Sequence, residues 1–271
     1  MQQKGLKRNP IDKFYTKPET VLLCINEITT NNFIKKDDYI IEPAAGNGAF
    51  INEIKKLSNN HLFFDIEPEN DEIIQYDYID YIDYIKIKNN IHIITNPPFG
   101  KNSSLAIKFI KKSCKFAKSI SMILPKSFKK ESMYKHFDPY FHLIKQINIP
   151  YNSFLLNNTE YNVPCIFQIW IKQNDKRLSI DKIIPINFEF VKKTDNPDIS
   201  FRRVGANAGE ISDQFKNKNI QSHYFIKFLN NKTIDENILL LKDIKFTHDN
   251  TVGPKSINKT ELITEFNSLL Q

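Results

Sequence analysis

The 271-residue chain lacks several features that would assign it to a class at once. It has no apolar run close to the roughly 20 residues that span a bilayer, and its start, MQQKGLKRNP, has no apolar segment typical of signal peptides. The three cysteines are scattered without CxxC spacing, which argues against a disulfide framework or a structural zinc site. The six histidines show no ligand spacing, so no metal is expected. We therefore expect a soluble, intracellular protein, cytoplasmic or nuclear, that does not bind membranes.

Positive charge is concentrated in one stretch of this chain, whose formal net charge is +7. Residues 101–135 contain ten lysines and a single acidic residue, Glu131. Such a segment favours a polyanionic partner, above all nucleic acid. The alternative is the solvated outer face of an amphipathic helix. Four of the lysines fit that alternative, because they fall at i, i+3, i+4 and i+7: Lys108, Lys111, Lys112 and Lys115.

Strand and helix patterns alternate through the first two-thirds of the chain. Apolar strand patterns are predicted at residues 39–42, 61–65, 91–95 and 119–124. Helical patterns are predicted at residues 18–29, 48–57, 103–117 and 129–137. Two longer strand-like runs, 142–149 and 163–172, suit an antiparallel hairpin at the sheet edge. Repeated β–α units predict an α/β fold with a mostly parallel sheet covered on both faces.

The pattern weakens in the last third of the chain. One strand-like run covers residues 183–191, and a glycine-bearing loop follows at 201–212, FRRVGANAGEIS. The remainder is polar with only short apolar clusters. We therefore predict a first domain at residues 1–175 and a smaller C-terminal region at 176–271.

The segment YIIEPAAGNGAF, residues 39–50, has the pattern of a nucleoside-binding loop. An apolar strand ends at Glu42, and the turn Gly46-x-Gly48 opens the next helix, which lets backbone approach a ligand. Two later apolar runs are also followed by acids, Asp65 and Asp77, and a carboxylate at the first position can accept both ribose hydroxyls. Each feature is weak alone, but together they predict an adenosine pocket. No GxxxxGK[ST] phosphate loop is present.

The segment IHIITNPPFGK, residues 91–101, places a rigid loop directly after a buried strand. Two prolines continue neither strand nor helix, and they supply carbonyls but no N–H groups. The loop therefore offers the Asn96 side-chain oxygen and the Pro97 carbonyl as acceptors, followed by Pro98 and the flat ring of Phe99. Two acceptors beside a stacking ring suit an aromatic amino group as substrate. The alternative is a plain Pro-Pro turn.

The ordered pair EPAAGNGAF and NPPF resembles the S-adenosylmethionine-dependent amino-methyltransferases, particularly the adenine-N6 DNA enzymes of restriction-modification type. The segment FYTKPETV, residues 14–21, is similar to the one that precedes the cofactor motif in members whose methionine-binding helix comes first. The resemblance covers about residues 14–172. It implies a Rossmann-like methyltransferase sheet, mostly parallel with a C-terminal antiparallel hairpin, plus a small C-terminal region. It also implies S-adenosylmethionine as cofactor.

The resemblance assigns roles to individual residues. The methionine end of the cofactor would be held by the first segment and the glycine loop: Tyr15, Thr16, Glu42, Pro43, Ala44, Gly46 and Gly48. Asp65 would bind the ribose, and Asp77 the adenine amino group. The adenine ring would be lined by Ile66, Tyr78 and Pro98, and Asn96 would lie beside both cofactor and substrate.

The implied reaction is methyl transfer to N6 of an adenine flipped out of DNA, with Asn96 and Pro97 accepting the amino hydrogens and Phe99 stacking on the base. Residues 176–271 would then recognise the target, and Lys101, Arg202 and Arg203 are the candidate nucleic-acid contacts. Ordinary arginines in a solvent loop are an equal alternative for the last two. Three further cations form either a basic arm or a plain terminus: Lys4, Lys7 and Arg8.

Three positions depart from the family pattern. Lys17 separates Thr16 from Pro18, Glu42 replaces the commoner Asp, and Phe99 replaces the commoner Tyr. Phe keeps the stacking surface, so activity is still expected. NPPF also occurs in RNA-directed relatives, which keeps adenine in RNA as the alternative substrate. A protein glutamine methyltransferase and a non-catalytic nucleic-acid-binding subunit are further alternatives, and the chain could act as a homodimer or with a partner subunit.

Overall fold

The computed structural model describes residues 14–80, 89–156, 158–177, 183–244, 246 and 255–270. The chain forms two compact units, Met1–Leu178 and Ser179–Gln271. The N-terminal cations Lys4, Lys7 and Arg8 lie outside the described residues. Within the described ranges, no helix is long and apolar enough to cross a membrane. In the same ranges, no three His, Cys, Asp or Glu residues are grouped as a metal would require.

The first unit contains ten strands and four α-helices among its described residues. The strands are β1 (Tyr15–Thr16), β2 (Tyr39–Glu42), β3 (Asn60–Asp65), β4 (Ile74–Gln75), β5 (Ile91–Thr95), β6 (Ser119–Pro125), β7 (Phe141–Asn148), β8 (Phe154–Leu156), β9 (Thr159–Tyr161) and β10 (Cys165–Lys172). The helices are α1 (Pro18–Asn31), α2 (Ile51–Leu57), α3 (Ser104–Ser113) and α4 (Glu131–Tyr134). In the described part of this unit, 3-10 helices cover Lys101–Ser103 and Lys126–Lys129.

Seven of these strands form one sheet in the order β4-β3-β2-β5-β6-β10-β7. The first five are parallel, whereas β10 is antiparallel to both β6 and β7. This arrangement confirms the predicted Rossmann-like sheet, mostly parallel with a C-terminal antiparallel hairpin. The strand order reverses between β2 and β5, and ligands of open α/β sheets bind at the carboxyl ends of strands at such a point.

Both faces of this sheet are covered, as the apolar strand patterns predict. β5 and β6 are buried along their whole length. Successive residues of β5, Ile93 and Ile94, belong to different core clusters, because alternate side chains point to opposite faces. The strands predicted at residues 39–42 and 91–95 are confirmed at those bounds.

Three predicted helices are shorter in the structure. α2 begins at Ile51 rather than at 48, because Gly46 and Gly48 have positive φ and form a turn. α3 covers Ser104–Ser113 and not 103–117. The helix predicted at 129–137 is wrong at its start, because Lys130 is extended (φ −71°, ψ 128°) and divides a 3-10 turn from the short α4.

A second, three-stranded sheet in the order β1-β8-β9 was not predicted. Tyr15 pairs with Leu155 and Thr16 with Phe154, so the start of the described chain is bonded to a segment about 140 residues later. Lys17 N extends the contact by donating to Ser153 O at 3.0 Å. This sheet places the residues before α1 beside the loop that follows β5, as described below.

The second unit is a folded α/β unit in which the predicted strand-like run, residues 183–191, ends in the strand Phe188–Val191. It contains β11 (Phe188–Val191), β12 (Ile199–Arg202), β13 (Ile211–Ser212), β14 (His223–Phe228), α5 (Ile234–Leu241) and α6 (Lys259–Leu269). The antiparallel sheet has the order β11-β14-β12-β13. Its core includes Phe188, Phe201, Ile226 and Phe266. The predicted loop at 201–212 is therefore partly strand, since Phe201 and Arg202 belong to β12.

Candidate active site

An open pocket lies where β2, β3 and β5 end, at the carboxyl edge of the large sheet. Its empty space is about 1040 Å³, which includes solvent at its mouth. Every residue predicted to bind cofactor lines it, with the exception of Gly48: Tyr15, Thr16, Glu42, Pro43, Ala44, Gly46, Asp65, Ile66, Asp77, Tyr78 and Asn96. Pro98 lines the same pocket. The structure therefore brings together residues that the sequence spreads over three β–α units.

The remaining lining residues were not singled out from the sequence: Phe14, Ala45, Asn47, Ala49, Phe50, Ile79, Leu105 and Phe109. Several lie inside the quoted motifs, so their backbone positions followed from the motif. Leu105 and Phe109 are different, because they come from α3. Their i, i+4 spacing behind the NPPF loop puts them on one helix face, and this was the only signal that could have indicated them.

The glycine turn after β2 needs a residue without a side chain at Gly48. Its φ is +86°, and a Cβ there would lie 2.7 Å from Ile51 Cδ1 and 3.0 Å from Asn70 Nδ2. Gly48 therefore shapes the loop without lining the pocket. Gly46, at φ +55°, turns its amide toward β3 and donates to Asp65 Oδ2 at 2.7 Å.

Asp65 is anchored at the rim of the pocket by two backbone amides. Gly46 N donates to Oδ2, and Glu67 N donates to Oδ1 at 2.9 Å. An ionised carboxylate has about four acceptor positions, so each oxygen retains a lone pair for a ligand hydroxyl. The two amides fix the orientation of the Asp65 carboxylate toward a pair of adjacent hydroxyls on a ligand.

Glu42 is the most strongly perturbed acid in the pocket. It is 1% exposed, and its Oε2 has no hydrogen-bond partner within the part of the chain that the structure describes. Burial raises the pKa of its carboxyl well above the usual range, and the nearby charge of Asp65 raises this pKa further. A buried acceptor without a partner is costly, so the position suits a ligand that brings a cationic donor.

The far side of the pocket is apolar with one acid at its edge. Tyr78 is buried and stacks on Phe109, with ring centroids 5.4 Å apart at 28°. Its hydroxyl lies 2.9 Å from Ser113 Oγ, which holds the ring in place. Asp77 Oδ1 accepts from Ile79 N at 2.8 Å. Such a wall can accommodate a flat ring with a polar edge.

Asn96, the first residue of the loop after β5, has a fixed side-chain orientation. Its Nδ2 donates to Phe14 O at 3.2 Å and to Thr16 Oγ1 at 3.1 Å. Because a carbonyl oxygen can only accept, the amide nitrogen must face Phe14, and the amide oxygen must face the other way. That oxygen, Oδ1, is buried and has no partner among the described residues.

A smaller cavity, with about 270 Å³ of empty space, adjoins the first at Phe14 and Asn96. Its other lining residues are Pro97, Phe99, Phe154 and Val163. The predicted catalytic loop is thus divided, with Pro98 on the larger pocket and Pro97 and Phe99 on the smaller one. Three aromatic rings and one side-chain amide line this cavity, and its empty space includes open solvent; the lining has the chemistry that suits a flat group with a polar edge.

The loop is tied to the helix that follows it. Phe99 O accepts from Leu105 N at 3.1 Å and from Ala106 N at 3.4 Å. Gly100 makes the necessary turn at φ +67°, where a Cβ would lie 2.8 Å from Leu105 Cγ. These bonds hold the Phe99 backbone at the start of α3.

The three candidate nucleic-acid residues lie in different surroundings. Lys101 is exposed at the start of the 3-10 helix after Gly100. Arg202 and Arg203 belong to the second unit. The Arg202 guanidinium lies 3.9 Å from Glu210 Oε2, whereas the Arg203 guanidinium carbon lies 5.4 Å from the ring centroid of Tyr224.

Comparison with known proteins finds no matching family model and no matching curated protein. A solved structure of a provisionally assigned RNA methyltransferase from Pyrococcus horikoshii matches at 13% identity, over 62% of this chain and 92% of that one, with a TM-score of 0.48. The 23S rRNA methyltransferase ErmE matches at 12% identity, over 62% and 72%, with a TM-score of 0.45. A modification subunit of a provisionally assigned type I restriction enzyme from Vibrio vulnificus matches at 12% identity, over 59% and 44%, with a TM-score of 0.45. At identities and TM-scores this low, function has to be inferred from the chain's own residues.

Proposed function

We propose that this protein transfers a methyl group from S-adenosylmethionine to the exocyclic N6 of an adenine flipped out of DNA. The observation that carries the proposal is the orientation of Asn96. Its amide nitrogen is bound to Phe14 and Thr16, and its buried oxygen is left as an acceptor where the two cavities adjoin. A methyl donor in the larger pocket and an amino group in the smaller cavity would meet at this residue.

The residues of the larger pocket fit S-adenosylmethionine. Glu42 offers a buried acceptor without a partner in the described ranges, which suits the ammonium of the methionine end. Asp65, held by two amides, suits the ribose hydroxyls. The wall of Ile66 and Tyr78 suits the adenine ring. When bound, the cofactor supplies an electrophilic methyl group on a sulfonium.

The smaller cavity supplies what an aromatic amine needs as a nucleophile. The lone pair of such an amine is delocalised into the ring, so the nitrogen attacks poorly until its geometry becomes tetrahedral. Asn96 Oδ1 and the Pro97 carbonyl oxygen would each accept a hydrogen bond from one N–H of the amine and so raise the charge density on its nitrogen, which releases one proton after the methyl group is transferred. Acceptors that are already oriented stabilise the transition state more than the ground state.

The aromatic lining of the smaller cavity supports a flipped base as substrate. Phe14, Phe99 and Phe154 present rings that offset the stacking lost when a base leaves a duplex, a cost of a few kcal/mol. DNA is favoured over RNA because EPAAGNGAF and NPPF, in this order, resemble the DNA-directed enzymes. The second unit would then recognise the target sequence, as expected for residues 176–271.

The test is to incubate the purified protein with labelled S-adenosylmethionine and, separately, unmethylated duplex DNA, single-stranded DNA and structured RNA, and to identify the modified nucleoside. The expected product is N6-methyladenine, mainly in duplex DNA. Label in RNA alone would show that the substrate is RNA and not DNA. Label only on protein, or none with the cofactor demonstrably bound, would contradict the proposal.

A further inference from the structure

Two cations and two aromatic rings meet on the surface of the second unit. Lys259 Nζ lies 4.1 Å from the ring centroid of Phe190 and 5.8 Å from that of Tyr224, and the Arg203 guanidinium lies 5.4 Å from the Tyr224 centroid. The two rings are 5.5 Å apart at 75°. Both rings are partly exposed, and Lys259 is exposed. We call these four residues the aromatic–cationic cluster.

The cluster is assembled by the fold and is not a local stripe of one helix. Phe190 comes from β11 and Tyr224 from β14, which are neighbouring strands. Arg203 follows β12, where its amide donates to Ser222 O at 2.9 Å. Lys259 begins α6, whose N-terminus is capped by Asn258 and Glu261. The cations therefore converge from separate segments, unlike the lysines at 108–115.

Arg203 differs from its neighbour Arg202 in what surrounds its charge. Arg202 lies 3.9 Å from Glu210 Oε2, and Lys218 lies 3.8 Å from the other oxygen of the same carboxylate. In the described part of the chain, neither Arg203 nor Lys259 forms an ion pair; their contacts are with rings and with Gln221 O. The exposed Lys255 lies beside the loop that follows Arg203, since its carbonyl accepts from Gly205 N at 3.0 Å.

A cation above a ring keeps most of its N–H donors. Arginine has five donors and lysine three; among the described residues, Nε of Arg203 is the one side-chain donor of the two that has an acceptor, Gln221 O at 3.1 Å. Phosphate oxygens bind such donors. We propose that the aromatic–cationic cluster is a nucleic-acid contact surface, with phosphates at Arg203 and Lys259, whose cationic groups the rings of Phe190 and Tyr224 hold in place. The choice of nucleic acid as partner rests on the proposed function.

The test compares two pairs of substitutions that remove the same charge from the same unit. The cluster pair is Arg203→Gln with Lys259→Gln, and the control pair is Arg202→Gln with Lys218→Gln. Binding of the full chain to labelled duplex DNA, single-stranded DNA and structured RNA is measured by fluorescence anisotropy over a range of salt. We expect the cluster pair to weaken binding by about tenfold or more and to lower the log–log salt slope by about 2. We expect the control pair to change both much less.

Two further measurements separate folding from contact. Arg203→Lys with Lys259→Arg keeps the charges and should retain most of the binding, and thermal unfolding should show the second unit folded in every variant. The inference would be overturned if the cluster pair and the control pair lost nucleic-acid affinity equally, or if neither lost any. Failure of methyl transfer alone would leave this inference intact. If the cluster pair selectively loses binding but no substrate is labelled, only the proposed function is contradicted. The nucleic acid that loses most affinity identifies the ligand as DNA or RNA.

Discussion

Asn96 Nδ2 donates to Thr16 Oγ1 at 3.1 Å, so a residue of the short first strand orients a residue eighty positions later. The Thr16 hydroxyl accepts this bond and still has its own proton to donate into the larger pocket, which Thr16 also lines. Thr16 therefore fixes the orientation of Asn96, a residue that lines both cavities. This role was not expected from the sequence, which assigned Thr16 to the cofactor alone.

We predict that Thr16→Val lowers kcat by about tenfold or more, because Asn96 loses an acceptor worth roughly 1–2 kcal/mol and its amide can rotate. Thr16→Ser keeps the acceptor and should keep most of the turnover. Single-turnover rates at saturating cofactor separate this effect from weaker cofactor binding. If Val and Ser at this position slow the reaction equally, the orienting role is wrong.

Asn96→Ala should lower turnover by about 10²- to 10³-fold, which is the usual cost of removing one oriented polar group that stabilises the transition state. Its side chain is only one of many that line the larger pocket, so cofactor affinity should change little. Labelled methyl transfer gives the first quantity, and calorimetric titration with S-adenosylmethionine gives the second. Turnover like that of the unmodified protein would refute the mechanism.

Much of this site could be predicted because its residues occupy local motifs. Gly46, Gly48 and Asn96 follow apolar strands that the sequence pattern itself marks, and parallel strands bring their carboxyl ends to one edge. The smaller cavity could not be predicted in the same way. Phe14 and Phe154 face it only because β1 pairs with β8, and a two-residue strand has no periodicity to detect.

The second unit shows the same limit. Its helices carried a signal in the sequence, since Thr233 with Glu236 and Asn258 with Glu261 form capping boxes, each of which marks a helix start. Its sheet carried only part of one, because the run at 183–191 indicated β11, whereas the other strands are short and the pairings skip neighbours, as in β11 with β14. Residues such as Arg202 and Arg203 therefore acquire different surroundings that adjacency in sequence does not reveal.

Glu42 gives a prediction about pH. Burial and the charge of Asp65 raise the pKa of Glu42 in the folded protein, so the fold favours the protonated form. Stability from this group is present below its ordinary pKa of 4.5 and is lost as pH rises from there through the folded pKa. Glu42→Gln should therefore make the ligand-free protein more stable at neutral pH, as measured by urea unfolding at several pH values.

The same substitution should have the opposite effect on the cofactor. A carboxylate that pairs with a ligand ammonium makes a charge-assisted bond, so Glu42→Gln should weaken S-adenosylmethionine binding by roughly 10- to 100-fold. Calorimetry in buffers of different ionisation enthalpy should also detect proton release from the unmodified protein near the folded pKa. Higher stability together with unchanged affinity would place the ammonium elsewhere in the pocket.

The glycine turn offers a pair of substitutions with different consequences. Gly48→Ala puts a Cβ 2.7 Å from Ile51 Cδ1 at φ +86°, so we expect the free energy of unfolding to fall by roughly 1–3 kcal/mol. Gly46→Ala also strains the backbone, at φ +55°, but its Cβ meets only the Tyr15 ring at an ordinary 3.5 Å and points into the lining of the pocket. Gly46→Ala should therefore reduce cofactor affinity more than Gly48→Ala does, while costing less stability. Urea unfolding measures the stability of both variants, and cofactor titration measures their affinity. A larger loss of affinity in Gly48→Ala than in Gly46→Ala would mean that Gly48 and not Gly46 contacts the ligand.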